Sequence, residues 1–244
     1  MPVAGSIVLV TGANRGIGRA FVDELLKRGV AKLYAAMRSP EKSDLPDDQR
    51  IVPIQLDLAD PASIEAAAAQ VPDLELLVNN AGYAGMSGVF SAESMDAARQ
   101  EMEVNYFGPL QLVRALRNTP VCSAKGGIIN VGSYAAYVTL PITGTYCASK
   151  AANLALSRTM GAELKRRGAR VIAVLPTLVN TEMGEWHSGP SIEPSVVAID
   201  ALDALDTDLE EVYPGDRGKM IDAAYRADPV AIQARMSAER VTPF

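Results

Sequence analysis

The feature that most constrains the fold is the alternation of short apolar runs with helical patterns along almost the whole chain. Each run is nearly continuous in apolar residues, as is typical of strands that are buried on both faces of a parallel sheet. Between the runs, apolar residues recur at helical spacing, as in residues 17–28. The pattern predicts an α/β fold: a doubly wound parallel sheet of about seven strands, with helices on both faces and right-handed crossovers. The predicted strands are 7–10, 33–36, 51–56, 74–78, 128–131, 171–175 and 211–213.

Two prolines refine this prediction. Pro53 interrupts the third run, and proline belongs on an edge strand because it cannot donate to the hydrogen-bond ladder. The third strand is an edge in the order 3-2-1-4-5-6, which is therefore the predicted order. Asp60 followed by Pro61 predicts the start of a helix, with Asp60 as its N-cap. After an interruption at residues 184–194, a further helix is expected at 195–209, and its acidic residues are expected to form a solvated face.

Composition excludes several classes of protein. The chain has 244 residues, is 48% apolar and contains no linker or repeat, so residues 1–244 are predicted to form a single domain. A net charge of -6 argues against binding to nucleic acid. No apolar run approaches the roughly 20 residues that span a bilayer, and no signal sequence precedes the first strand. Two cysteines, Cys122 and Cys147, indicate neither a disulfide framework nor a metal site, so a cytoplasmic protein is expected.

A glycine-rich turn, residues 11–18 with the sequence T-G-A-N-R-G-I-G, follows the first strand and opens the first helix. Glycines let the backbone approach a pyrophosphate, and a helix N-terminus presents free N–H groups to its negative charge. Such a turn also occurs at ordinary junctions of strand and helix. Its place after the first strand of an α/β chain favours a dinucleotide site in a Rossmann-type fold. The predicted contacts are Gly12, Asn14, Arg15, Gly16, Ile17 and Gly18.

The end of the second strand indicates which dinucleotide would bind. An acidic residue at this place would bind a ribose 2′-hydroxyl. This chain has Arg38 instead, and a guanidinium can pair with a 2′-phosphate through two hydrogen bonds. Arg15 would add a second positive charge, although both arginines are also compatible with simple solvation. The prediction is NADP(H) in preference to NAD(H).

Tyr146 and Lys150 lie four residues apart, hence on one face of a helix. Reduction of a carbonyl requires a proton donor, and tyrosine's ordinary pKa of about 10 is too high for proton transfer in both directions at neutral pH. A neighbouring ammonium lowers that pKa, and Ser133 can hydrogen-bond the substrate oxygen. Asn105 lies in the helical stretch 96–117, where asparagine is a poor helix former. Tyr146 is therefore predicted to be an acid/base that works with Lys150 and Ser133, and Ser133 and Tyr146 are predicted to contact the substrate. Asn105 is a further candidate, because its place in a helix requires an explanation.

In their order along the chain, these motifs resemble the compact branch of the short-chain dehydrogenase/reductase family. The resemblance covers approximately residues 7–183. It rests on five motifs: the turn at 11–18, Asp57-Leu58, Asn79-Asn80-Ala81-Gly82, Asn105 with Ser133, and Tyr146 with Lys150.

The resemblance implies a role for each motif. Asn105 would hold a water that links Lys150 to solvent as a proton relay, and Lys150 would also bind the nicotinamide ribose. The implied cofactor contacts are Asp57 at the adenine, Leu58, the residues Asn79, Ala81 and Gly82 beside the central sheet, and Tyr146 with Lys150.

The chain departs from the family after the sixth strand. The family usually has Pro-Gly there, whereas this chain has Pro176-Thr177, and the threonine side chain would restrict the loop. Val179 and Thr181 still fit the pattern, and Thr181 would hold the nicotinamide carboxamide. Pro176, Val179 and Thr181 therefore join the predicted cofactor contacts. The resemblance also implies a substrate loop and helix at 184–210, and a homodimer or homotetramer built on the helices around Asn105 and Lys150.

The expected function is that of an NADPH-dependent ketone or aldehyde reductase, or alcohol dehydrogenase, acting on a small molecule. One alternative is a regulator of the same fold that senses NADPH without turnover. Another is a sugar-nucleotide epimerase, although the chain after Met183 is short for the substrate domain of that branch. Residues predicted to form the substrate wall are Tyr83, Tyr134, Tyr137, Val138 and Trp186, whereas His187 is expected to be a solvent-facing loop residue.

Overall fold

The computed structural model describes residues 1–86, 88–184 and 189–238. Seven parallel strands form one sheet in the order β3-β2-β1-β4-β5-β6-β7, which confirms the predicted fold class and extends the predicted strand order by β7. The strands are β1 (Ile7–Thr11), β2 (Lys32–Met37), β3 (Ile51–Gln55), β4 (Leu76–Asn79), β5 (Gly127–Val131), β6 (Arg170–Val174) and β7 (Glu211–Val212).

Helices cover both faces of the sheet. Along β1, Val8 and Val10 pack toward α1 and α6, whereas Leu9 packs toward α2, α4 and α5. Burial on both faces explains why the strand is a continuous apolar run. The helices are α1 (Gly16–Lys27), α2 (Pro61–Ala69), α3 (Asp96–Met102), α4 (Gly108–Ala115), α5 (Gly144–Lys165), α6 (Pro194–Asp203), α7 (Gly215–Ala227) and α8 (Pro229–Ser237).

Both proline predictions are confirmed. Pro53 lies on β3 at the edge of the sheet, where it pairs with Ala35 of β2 and is exposed. Asp60 caps α2, because its Oδ1 accepts a hydrogen bond of 2.9 Å from the Ala62 N–H.

The helix predicted at 195–209 is shorter in the structure. It ends at Asp203 and is followed by a 3₁₀ turn, Ala204–Asp206. The Thr207 hydroxyl donates to the Ala204 carbonyl and accepts from the Leu209 N–H. These side-chain bonds compete with the backbone hydrogen bonds that would continue the helix. Three acidic residues of this region are exposed but also bonded: Asp203 to Arg28, Asp206 to the N-terminal amine and Glu210 to Lys165. Asp200 is half-buried, and its Oδ2 accepts a hydrogen bond from the Gly215 N–H, so the expected solvated face is incomplete.

A wide turn interrupts the long helix predicted at 96–117. Between α3 and α4, residues Glu103–Phe107 form a π-helical turn. Pro109 has no N–H, so the carbonyl of Asn105 lacks the partner that the fourth following residue normally supplies. Gly108 lets this turn approach the strand end, because a Cβ there would lie 2.5 Å from the Leu58 carbonyl oxygen. Asn105 thus occupies an irregular, buried turn, of a type that is frequent at functional sites.

No helix within the described ranges is long and apolar enough to cross a membrane. Trp186 and His187, singled out in the sequence, lie outside the described residues.

Candidate active site

The glycine turn lies at the carboxyl end of β1 and leads directly into α1. Gly16 has a φ of +53°, a conformation that favours glycine. A Cβ on Gly18 would overlap the carbonyl oxygen of Gly12, so the turn can close this tightly only with glycine there. Because Gly16 and Gly18 have no side chain to cover the turn, a ligand can approach the backbone N–H groups at the N-terminus of α1, beside Asn14 and Ile17.

The end of β4 holds this turn in place. The N–H groups of Asn80 and Ala81 both donate to the Thr11 hydroxyl at 3.0 Å. The Asn80 side chain also donates to the Thr11 carbonyl at 2.9 Å. Since β1 and β4 are the neighbours at which the strand order reverses, these bonds build the crevice in which open α/β sheets bind ligands.

Positive charge flanks the crevice. Arg38 follows the last residue of β2, is exposed, and makes no hydrogen bond or ion pair with the residues that the structure describes. Arg15 instead pairs with Glu182 from the segment after β6. Asp57 follows β3 by one residue, and its Oδ1 accepts from the Ala59 N–H at 2.9 Å. The Leu58 side chain is buried in the core.

The segment after β6 reaches the glycine turn through Thr181. A Cβ on Gly16 would lie 3.1 Å from the Thr181 Cγ2. Val179 is buried and forms a parallel bridge with Ile192, and the Pro176 carbonyl accepts from the Tyr134 N–H. The Thr177 hydroxyl is buried and has no hydrogen-bond partner in the described part of the chain.

Tyr146, Lys150 and Ser133 lie together at the carboxyl end of β5. Tyr146 and Lys150 occupy one face of α5, with the lysine Nζ 5.6 Å from the centre of the tyrosine ring. This Nζ also donates to the Val131 carbonyl at 3.3 Å. Ser133 begins a 3₁₀ turn, in which its hydroxyl accepts from the Ala135 N–H at 3.1 Å.

Asn105 completes the group from the neighbouring helix. Its Oδ1 accepts from the Tyr83 N–H at 2.9 Å, and its Nδ2 donates to the Tyr83 carbonyl at 2.8 Å and to the Ser149 hydroxyl at 2.9 Å. Gly82 lies between Asn105 and Lys150: a Cβ on Gly82 would be 3.3 Å from the Asn105 Oδ1 and 3.5 Å from the Lys150 Nζ. The fold thus brings together all four residues predicted to be catalytic.

Burial dominates the electrostatics of this group. It lowers the pKa of Lys150 to about 8. It raises the pKa of Tyr146, and hydrogen bonding by the Ser133 side chain partly offsets this rise. The sequence predicts that the Lys150 ammonium lowers the pKa of Tyr146. The structure differs, because removal from water favours the neutral forms of both side chains.

A chain of buried amides and hydroxyls supports the group, and it joins the predicted residues Asn79, Asn105 and Tyr146 through side chains that the sequence does not predict. The Asn79 Nδ2 donates to Asn130 Oδ1 at 2.9 Å, and the Asn153 Nδ2 donates to the Asn105 carbonyl at 2.8 Å. Asn130 interrupts the apolar run of β5, and a polar residue in a buried strand requires a partner; this was the signal available in the sequence. The remaining links are Asn130 to Ser157, Ser157 to the Asn153 carbonyl and Ser149 to the Tyr146 carbonyl.

Tyr134, Tyr137 and Val138, predicted as candidates for the substrate wall, pack toward the C-terminal part of the chain, and their contact with a substrate stays a prediction. Tyr134 and Val138 are buried among residues of β6, α7 and α8. The Tyr134 hydroxyl donates to the Ile221 carbonyl, and the Tyr137 hydroxyl donates to Glu211 Oε2 at 2.6 Å. The 3₁₀ turn that begins at Ser133 directs these side chains toward the C-terminal helices.

Comparisons with known proteins agree with this geometry. The family model for short chain dehydrogenase matches residues 6–188. The chain is 30% identical to a sorbitol dehydrogenase of Cereibacter sphaeroides over 92% of this chain and 84% of that protein. It is 37% identical to a D-erythrulose reductase of Gallus gallus over 74% of each chain. A crystal structure of a short chain dehydrogenase from Burkholderia cenocepacia J2315 in complex with NADP matches with a TM-score of 0.91 and 39% identity over 100% of both chains.

Members of the matched family are oxidoreductases that bind nicotinamide cofactors, and the crevice at the end of β1 has the glycine turn that such a cofactor needs. By its matched length, its fold and its relatives, the chain belongs to the short-chain dehydrogenase/reductase family.

Proposed function

We propose that this protein transfers hydride between NADP(H) and a small carbonyl or alcohol substrate, with Tyr146 as the acid/base. The observation that carries the proposal is the grouping of Ser133, Tyr146 and Lys150 at the carboxyl end of β5, beside the crevice between β1 and β4. In this proposal residues 1–244 act as one domain, in which residues 184–210 supply the substrate loop and helix.

The side chains have the chemistry that the reaction requires. The nicotinamide, when bound, supplies or accepts the hydride. In the direction of reduction, Tyr146 gives its proton to the carbonyl oxygen as negative charge develops there. Burial raises the pKa of Tyr146, so the side chain holds that proton until the reaction. Ser133 donates a hydrogen bond to the same oxygen. In the reverse direction Tyr146 removes the proton of the alcohol.

The residues of the crevice fit NADP(H). Gly12, Gly16 and Gly18 leave the backbone N–H groups of the turn open to a pyrophosphate. Arg38, which has no partner among the described residues, would pair with the 2′-phosphate. Arg15 would exchange Glu182 for that phosphate. The similar Burkholderia cenocepacia protein was solved in complex with NADP, which supports this choice. The other proposed contacts are Asn14, Ile17, Asp57, Leu58, Asn79, Ala81, Gly82, Lys150, Pro176, Val179 and Thr181.

The acid/base role is tested with Tyr146→Phe. The variant is expected to lose activity by about 10³-fold, because it retains the ring and loses the proton donor. Turnover is measured as NADPH absorbance with a panel of ketones, aldehydes and quinones. NADPH affinity, measured by fluorescence titration, should stay nearly the same. Full activity in the variant would refute the assignment. If the wild type binds NADPH and turns over no member of the panel, the protein is a cofactor-sensing regulator instead.

The cofactor preference is tested with Arg38→Asp. We expect kcat/KM for NADPH to fall by about 100-fold, because two charge-assisted hydrogen bonds to the 2′-phosphate are lost, while kcat/KM for NADH changes little. Lys42→Asp, an equal change of charge at a nearby exposed residue, is the control. The proposal would be contradicted if the wild type uses NADPH and NADH equally well and Arg38→Asp leaves both values of kcat/KM unchanged.

We also propose that the protein assembles as a homodimer or homotetramer through α4 and α5, the helices that follow Asn105 and carry Lys150. This part of the proposal rests on the family resemblance. The exposed ring of Phe107, which packs edge-on against Tyr106 just before α4, is consistent with it.

A further inference from the structure

Tyr146 is the third residue of α5, and the start of this helix lacks the usual support. Thr143 at the N-cap makes no capping hydrogen bond with its side chain, and Gly144 is a poor helix former. The segment before the helix, residues 134–143, consists of two three-residue 3₁₀ turns and irregular chain. In the proposed reaction the hydroxyls of Ser133 and Tyr146 bind one substrate oxygen, so their separation must be fixed. Contacts with other parts of the chain must therefore hold this segment.

Thr139, near the middle of the segment, is held by a side chain of the C-terminal helix. Neither its N–H nor its carbonyl bonds another backbone group in the described part of the chain. Instead, Gln233 Oε1 of α8 accepts from the Thr139 N–H at 3.0 Å, and Gln233 Nε2 donates to the Thr139 carbonyl at 3.0 Å. Nε2 also lies 3.0 Å from the Thr139 hydroxyl. One amide thus bonds both backbone groups of one residue, as a neighbouring antiparallel strand would, and fixes its orientation as well as its position.

The two halves of the segment are held by different residues. In the first half, the hydroxyls of Tyr134 and Tyr137 donate to the Ile221 carbonyl of α7 and to Glu211 of β7. In the second half, Gln233 is the side chain from outside the segment that hydrogen-bonds residues 139–142, among the residues that the structure describes. Gln233 therefore holds the half that leads into α5.

Helix α8 is itself fixed against the core. Asp228 caps its start, because the Asp228 Oδ1 accepts hydrogen bonds from two backbone N–H groups of the first turn. Ile232, the residue before Gln233, is 4% exposed and belongs to one apolar cluster with Val138 of the segment and Leu154 of α5. The position of α8 is thus tied both to the segment and to the helix that carries the proposed acid/base.

We propose that Gln233 is a positioning residue of this reaction, because it holds the backbone of Thr139 and thereby the start of α5. It thus fixes the Tyr146 hydroxyl relative to that of Ser133. The inference rests on the proposed function, in which both hydroxyls bind one substrate oxygen. A displacement of about 1 Å can lower the rate of an enzyme about 100-fold, so even a partial release of the segment should lower kcat.

The test uses Gln233→Met, which keeps the length of the side chain and a strong helix former while removing the amide. With the member of the carbonyl panel that the wild type reduces fastest, we expect kcat to fall about tenfold. NADPH affinity, measured by fluorescence titration, should be unchanged, because the end of β4 holds the glycine turn. Hydrogen exchange of the Thr139 N–H, followed by NMR without cofactor, should be about tenfold faster in the variant.

A double-mutant cycle with Ser133→Ala separates positioning from a general effect on structure. When the Ser133 hydroxyl is absent, its separation from the Tyr146 hydroxyl no longer matters. In the Ser133→Ala background, Gln233→Met should therefore lower kcat by less than about twofold, so the two effects are not additive. A purely structural role would give the same fold-change in both backgrounds.

Two further variants test the contact itself. Ser237→Ala removes another partner of Gln233 Nε2, at 2.9 Å on the same helix, and leaves both backbone bonds to Thr139. It should have the kcat and the Thr139 exchange rate of the wild type. Gln233→Glu places a second carboxylate oxygen against the Thr139 carbonyl and should lower kcat as Gln233→Met does. It replaces Gln233→Met if that variant does not fold.

The inference would be overturned by an unchanged kcat in a folded Gln233 variant, or by equal fold-changes in the two backgrounds of the cycle. Its failure differs from that of the proposed function. Activity retained by Tyr146→Phe would refute the acid/base role. An inactive Tyr146→Phe together with a fully active Gln233→Met would refute only the role of Gln233.

Discussion

At the scale of single residues, Lys150 shows how burial changes the chemistry of a side chain. Its ammonium has one hydrogen-bond partner among the described residues, the Val131 carbonyl, and the residue is 5% exposed. Burial lowers its pKa to about 8. Its charge therefore changes at a pH much closer to neutral than that of an exposed lysine, and this suits a residue placed beside the proposed acid/base.

The lowered pKa of Lys150 leads to a prediction about stability. Below pH 8 the folded and unfolded states both hold the proton, so the folded state bears the whole cost of a buried charge. Between about pH 8 and the ordinary value of 10.5 only the unfolded state holds it, so stability rises with pH. Relative to Lys150→Met, the wild type should gain about 3 kcal/mol in free energy of unfolding between pH 7 and pH 10.5. Urea unfolding at both pH values measures this; a constant difference between the two proteins would refute it.

The residue types predicted the acid/base group but did not predict other side chains that the fold buries. Tyr146, Lys150 and Ser133 could be predicted because their chemistry matches one reaction. Glu101 could not, since it lies among polar residues on a helix whose surface is mostly in contact with water. Only the packing of α3 against α5 and against the loop at Gly85 makes it a buried charge.

At the scale of elements, the wide turn between α3 and α4 places Asn105 in the proposed active site. Pro109 leaves the Asn105 carbonyl without its usual partner in the helix, and the Asn153 Nδ2 of α5 supplies one at 2.8 Å. A helix at 96–117 could be predicted from its pattern, and α3 and α4 lie within that range. The π turn and its hydrogen bond from Asn153 could not be predicted, because they depend on which helix packs beside the turn.

This link between the helices predicts the effect of Asn153→Leu. The substitution leaves the buried Asn105 carbonyl without a partner, so the free energy of unfolding should fall by about 2 kcal/mol. Chemical denaturation measures the change. Thr159→Val is the control, since Thr159 is exposed on the same helix and its hydroxyl bonds only the Ala155 carbonyl within that helix. Equal stability of Asn153→Leu and the control would contradict this account.

At the scale of the whole molecule, the site is a product of topology. The glycine turn follows β1, the loop of Gly82 follows β4, and Ser133 follows β5. In a parallel sheet all these carboxyl ends meet at one edge, and the reversal of strand order between β1 and β4 opens the crevice there. Residues far apart in the sequence therefore share one site.

The proposed assembly is tested at this scale with Phe107→Glu. If α4 and α5 form the interface, a charge at this exposed ring should weaken the association, because a charge buried at an interface without a partner is unfavourable. Light scattering after size exclusion should give a mass of at least twice 25.9 kDa for the wild type and a lower mass for the variant at equal concentration. A wild type that is monomeric at all concentrations would refute the assembly.

Local patterns were sufficient for the α/β architecture, the edge position of β3, the glycine turn and the pairing of Tyr146 with Lys150, because strand burial, turn geometry and helical spacing each act over a few residues. The tertiary structure decided the rest: the direction in which Tyr134 and Tyr137 point, the amide network through Asn130 and Asn153, and the buried carboxylate of Glu101. These features depend on contacts between segments distant in the chain. Burial itself depends on such contacts, and it is burial that sets the pKa values of Lys150 and Tyr146.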